Sequence, residues 1–95
     1  MSDAARPWVG RVECVVEHPD GMHAVPCTRL ARTVGRFRCD VRVEWDGKFA
    51  DAKSVLELMR LTAPHGALLK FLAEGSDAQR CLDAVSALMA VPHAS

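Results

Sequence analysis

The sequence predicts an α+β domain with the element order β-α-β-β-α-β-α, its three helices on one face of a sheet whose other face meets water. Three patterns carry that prediction. Apolar and charged residues alternate strictly from Phe37 to Trp45. Apolar residues recur at helical spacing between Ala24 and Val34. Two serine-led capping boxes, Ser54 to Glu57 and Ser76 to Gln79, mark the starts of two further helices.

Taken in order, Val12, Cys14 and Val16 alternate with Arg11, Glu13 and Glu17, which describes a half-buried first strand interrupted by Val15. His18-Pro19-Asp20-Gly21 is turn chemistry. The first helix runs from Ala24 to Val34, with Cys27, Leu30, Ala31 and Val34 inward and Gly35 as its stop. In the second strand Phe37, Cys39, Val41, Val43 and Trp45 face the core, while Arg38, Asp40, Arg42 and Glu44 face solvent. Asp46-Gly47 signals a hairpin, and Lys48 to Ala52 is the return strand. Ser54 opens a short helix ending near Leu61. Pro64-His65-Gly66 turns the chain into a strand from Ala67 to Ala73, with Leu69, Phe71 and Ala73 on one face. The helix opened by Ser76 points Leu82, Val85, Leu88 and Met89 inward. Periodicity does not give the order of strands in the sheet. The chain reads as a single domain over residues 1–95 with an ordered core of about 9–91; residues 1–8 and 92–95 read as frayed ends.

With 95 residues the chain can build one core and no more. Twelve basic residues balance twelve acidic ones, which argues against a dedicated nucleic-acid binder. No apolar run approaches the ~20 residues needed to cross a bilayer, and Met1 to Gly10 lacks the apolar core of a signal peptide, so no membrane insertion and a cytoplasmic location are expected. Cys14, Cys27, Cys39 and Cys81 are widely spaced and each falls at an apolar position. An even count permits disulfides, but buried free thiols fit the pattern better. No cysteine–histidine cluster has zinc spacing, so neither metal nor cofactor is expected. No nucleophile–base pair, phosphate loop or paired-carboxylate motif for a stand-alone enzyme is present.

The chemistry concentrates in Gly21-Met22-His23-Ala24-Val25-Pro26. A glycine loop delivers His23 to the start of a helix, and Pro26 sits in that helix's first turn, where a missing N–H costs nothing. The unpaired N–H groups of such a turn attract anions, helped by the positive end of the helix dipole. Neutral imidazole is nucleophilic and accessible near pH 7. His23 can therefore accept a phosphoryl group, with the backbone N–H groups of Ala24 and Val25 cradling its charge. Alternatively it is a loop histidine that caps the helix or simply faces water. His18 and His65 fall in turns and His93 in the tail, and all three read as surface residues.

Gly21-Met22-His23-Ala24-Val25-Pro26-Cys27 resembles the active-site motif of the histidine-containing phosphocarrier proteins of the bacterial phosphotransferase system, the HPr family, whose usual form is Gly-(Leu/Met/Ile)-His-(Ala/Thr)-Arg-Pro-Ala. Gly47-Lys48 and Ala52-Lys53-Ser54 resemble the family's second segment, and Ala73-Glu74-Gly75 its turn into the last helix. Residues 11 to 90 can be laid on the pattern. The family's arginine is Val25 here, and its alanine is Cys27.

The resemblance implies an open-faced sandwich with a four-stranded antiparallel sheet. It implies a phosphocarrier rather than an enzyme. Enzyme I, charged by phosphoenolpyruvate, phosphorylates Nδ1 of His23, and the group passes to a sugar-specific or regulatory IIA-type acceptor. It also implies that Ser54, which has a sufficient task as a helix cap, is a regulatory phosphorylation site for a serine kinase in some bacterial groups. Val55, Leu56, Leu58 and Met59 cannot all point inward on one short helix. With Met22, the residues Val55, Leu56 and Met59 are expected to form an apolar docking patch near His23, as the family uses this region, and the chain is expected to be monomeric. Val25 keeps a second reading open, a regulatory binding module with weak or no phosphotransfer. A basic residue from elsewhere, Arg29, Arg32 or Arg60, could replace the arginine if the fold turns it toward the site. A segment of a larger multiphosphoryl protein is a third reading; the opening methionine and natural-looking ends favour a free-standing domain.

Overall fold

The computed structural model describes residues 8–90. Four strands, β1 (Gly10–Val15), β2 (Asp40–Trp45), β3 (Lys48–Asp51) and β4 (Leu68–Glu74), alternate with α1 (Ala24–Val34), α2 (Val55–Arg60) and α3 (Ala78–Ala90) in the predicted sequence of elements. The sheet order is β1-β4-β2-β3 and every pairing is antiparallel. The last strand thus enters between β1 and β2, which periodicity alone could not reveal. Phe71 lies opposite both Val12 and Val43 in this register.

The inner sheet residues Cys14, Val41, Val43, Ala50, Leu69, Phe71 and Ala73 are buried, together with Leu30 and Val34 of α1, Leu58 of α2, and Leu82 and Val85 of α3. Each fully buried Val, Leu or Phe among them contributes about 1.5–3 kcal/mol. Asp46 and Gly47 both take positive φ, 51° and 73°, the twist that a two-residue hairpin requires.

Several local expectations need correction. β2 begins at Asp40 rather than Phe37, although Phe37 still packs against the core. Gly35 does stop α1, as its C-cap in right-handed geometry (φ −62°). Arg42, expected in solvent, is buried on the outer sheet face: its guanidinium lies 3.8 Å from the centre of the Phe49 ring and 3.4 Å from a Glu44 oxygen. The Ser76 box does not form, since its hydroxyl reaches back to the Arg38 carbonyl and Gln79 bonds Asp83. The Ser54 box forms by half. Ser54 Oγ accepts from the Glu57 N–H at 3.2 Å, but the Glu57 carboxylate accepts from Asp51 instead of Ser54. The ends expected to fray, apart from Trp8, lie outside the described residues, as does His93.

All four cysteines are free and buried. Burial pushes the Cys27 thiol up to about 11. Burial, reinforced by a hydrogen bond with Cys39, pushes Cys81 up to about 12. The folded chain therefore holds protons that the unfolded chain releases above the ordinary thiol value of 9.0. Their contribution to stability is complete below that value and is lost as pH rises toward 11 for Cys27 and 12 for Cys81, at about 1.4 kcal/mol per pH unit per thiol. Urea midpoints should fall more steeply between mildly and strongly alkaline buffer in the native chain than in Cys27→Ala. Equal slopes would contradict this assignment.

Candidate functional site

The site is built where the β1–α1 turn meets the end of α2. Gly21 takes φ 75°, and its N–H donates to the His18 carbonyl at 3.0 Å, closing the turn. The next amide, of Met22, donates to the Ala63 carbonyl at 2.8 Å. These two bonds pin the loop and deliver His23 as the N-cap of α1, in extended geometry and with no side-chain capping bond. Its ring is therefore free for other work.

The His23 ring is half-buried. Its Nε2 edge meets the His18 ring, at 3.2 Å from each His18 nitrogen, with ring centres 4.3 Å apart. Its Nδ1 has no hydrogen-bond partner among the described residues. The backbone N–H groups of Ala24 and Val25 likewise donate to nothing among the described residues, while Cys27 N–H closes the first helical bond onto the His23 carbonyl at 3.1 Å. A ring nitrogen without a partner thus sits on the N-cap residue, followed directly by two unbonded amides at the positive end of an eleven-residue helix.

A shallow hollow beside His23 is lined by Asp20, Met59, Thr62 and Pro64. Thr62 closes α2 in left-handed geometry (φ 53°), unusual for a β-branched residue. Lys48 Nζ braces that end through Thr62 Oγ1 at 3.3 Å and the Leu61 carbonyl at 3.4 Å.

Met22 does not belong to an exposed docking patch. It is 5% exposed, because the closed turn aims it into the core. Val55 is half-buried against the same core. Leu56 (60%) and Met59 (38%) remain exposed on α2. Ser54 sits at the start of α2 with its hydroxyl engaged as a cap. Val25 is 49% exposed. Arg29 and Arg32 share a surface hollow with Ala24, Val25 and Thr28 along the flank of α1, and neither they nor Arg60 bonds His23. His18 is the residue that reading the sequence missed. It is half-buried against His23 instead of standing free in its turn.

A family model described as the PTS HPr component phosphorylation site matches residues 11–90, nearly the whole chain. The chain belongs to the HPr family. HPr proteins are phosphocarriers of the phosphotransferase system rather than stand-alone enzymes. The chain is similar to HPr-C-His from Thermoanaerobacter tengcongensis (30% identity, TM-score 0.81, covering 85% of this chain and 91% of that one). It is similar also to the phosphocarrier protein HPr from Bacillus anthracis (31% identity, TM-score 0.79, covering 84% and 95%). Among curated relatives, the multiphosphoryl transfer protein of Escherichia coli O157:H7 is 35% identical over an alignment of 86 residues, with 87% of this chain and 23% of that protein covered. The chain thus spans about a quarter of that relative's length. No helix among the described residues is long and apolar enough to cross a membrane.

Proposed function

We propose that Nδ1 of His23 is the phosphoryl acceptor, charged by an enzyme I-type phosphohistidine and discharged to a IIA-type partner. The Nδ1 lone pair attacks phosphorus. The donor's N–P bond breaks, and its electron pair stays on the donor imidazole. No proton has to move in the transfer itself. The phosphoryl group brings about two negative charges, which the free amides of Ala24 and Val25 and the helix dipole receive. The observation that carries this reading is the unbonded Nδ1 on the N-cap residue, followed directly by two unbonded amides, in a chain of the HPr family.

Leu56 and Met59 supply the apolar surface for docking, next to the hollow at His23. The carrier acts in the cytoplasm, as a monomer. Ser54 serves α2 as its cap, and phosphorylation there by a kinase belongs to the regulatory branch of the same reading. A second reading is favoured by one residue. The exposed aliphatic Val25, where the family motif carries a cation, fits a regulatory module that binds partners through α2 and transfers phosphate weakly.

The test is incubation with enzyme I and labelled phosphoenolpyruvate. Acid-labile, base-stable label on the native chain, absent from His23→Ala, is expected. A native chain that binds enzyme I yet stays unlabelled would favour the regulatory module.

A further inference from the structure

We infer that His18 is a positioning residue: the face of its ring holds the His23 proton on Nε2 and so keeps the Nδ1 lone pair free. The purpose of this arrangement rests on the carrier reading; the arrangement itself rests on geometry.

Nε2 of His23 is 3.2 Å from Nδ1 of His18 and 3.2 Å from its Nε2. A point in the His18 ring plane equidistant from both nitrogens at that range would collide with the carbon between them. Nε2 of His23 therefore lies over the ring face. The rings are inclined at 72° with centres 4.3 Å apart, the edge-to-face arrangement. Neither distance is a bond to a His18 lone pair. An aromatic face is electron-rich and attracts the positive edge of another ring. An N–H directed at it is stabilised, whereas a nitrogen lone pair directed at it is repelled. Neutral imidazole carries its proton on one nitrogen only. The tautomer with hydrogen on Nε2 is thus selected, and Nδ1 is left unprotonated.

His18 is itself aimed. The Asp20 N–H donates to its Nδ1 at 3.1 Å, within the turn that Gly21 closes onto the His18 carbonyl. The face contact also grows during transfer. As the Nδ1 lone pair becomes the new N–P bond, the His23 ring gains positive charge while its proton stays on Nε2. A cation against an aromatic face is favoured, and an interaction that strengthens toward the transition state accelerates the step. The ligand-capable atoms of His18, Asp20 and His23 fall within 4.8 Å of one another. A metal needs ring lone pairs that converge on it in their planes, and His18 offers a face instead.

The experiment is a long-range proton–nitrogen NMR correlation of histidine-labelled protein, at a pH where His23 is neutral, in the native chain, His18→Ala and His18→Phe. The native chain should show His23 protonated mainly on Nε2. His18→Ala should show a larger share of the Nδ1-protonated form, and His18→Phe, which keeps an aromatic face, should restore the native ratio. Uptake of phosphate should be about two- to fivefold slower in His18→Ala than in His18→Phe. A native His23 protonated on Nδ1, one tautomer ratio in all three chains, or a His18→Phe that behaves like His18→Ala would overturn the assignment. A tautomer that follows His18 in a chain that takes no phosphate would keep the positioning role and defeat the carrier reading.

Discussion

Val25→Arg is expected to raise the rate at which His23 takes up phosphate by about ten- to a hundredfold, the equivalent of one charge-assisted hydrogen bond. Two neutral amides and a helix dipole face the incoming dianion in the native chain. A guanidinium added there supplies a full charge and a planar pair of donors. Val25 is 49% exposed, so the longer side chain meets solvent rather than core. Its backbone N–H is unchanged by the substitution. The cost falls on the unphosphorylated state: a cation in the first turn opposes the dipole by about 0.3–1 kcal/mol. Arg29, one turn along, adds a like-charge repulsion of about 0.2–0.5 kcal/mol. Stability should therefore fall slightly while transfer quickens, a combination that general improvement of the fold would not produce. Single-turnover transfer from phosphorylated enzyme I measures the rate. An unchanged rate would mean that the two amides, with Arg29 on the flank, already suffice, and that the aliphatic residue is no handicap.

The elements were legible because their signals are local. The alternation of Val41 and Val43 with Asp40 and Glu44 needs no knowledge of the rest of the chain, nor does Ser54 capping the Glu57 amide. What escaped depends on contacts between distant segments. Arg42 is charged and sits on the solvent face of the pattern, yet it is buried because Phe49 of the neighbouring strand covers it. Ser76 and Gln79 have the right spacing for a capping box, but the Arg38 carbonyl and Asp83 compete for their side chains. The site divides in the same way. His23, the free amides and the helix start follow from a few consecutive residues. The burial of Met22 and the meeting of His18 with His23 follow from how sharply the turn folds back, and that is set by Gly21 against residues 63–64. A histidine five residues before the acceptor across a tight glycine turn was the signal available for His18.

Gly21→Ala should be strongly destabilising, lowering stability by about 2–4 kcal/mol. Two costs add. The φ of 75° lies in the left-handed region, which penalises any Cβ by about 1–2 kcal/mol. The new Cβ would also stand 2.7 Å from the Ala63 carbonyl oxygen and 3.0 Å from Pro64 Cα. Both are backbone atoms, so no flexible side chain can yield. Relief requires the loop to move away from residues 63–64, which stretches the 2.8 Å bond from Met22 N–H to the Ala63 carbonyl. That movement draws Met22 from the core and displaces His23, so the fraction that remains folded should also lose phosphate uptake. Gly66→Ala isolates the first cost. Gly66 has φ 87°, but a Cβ there meets nothing within 4 Å. Its penalty should be about 1–2 kcal/mol, with His23 chemistry intact. Thermal melts separate the two variants, since each kcal/mol shifts the midpoint of a domain this size by roughly 4–8 °C. Equal losses in the two would show that backbone conformation alone, and not the close approach to residues 63–64, holds this loop in place.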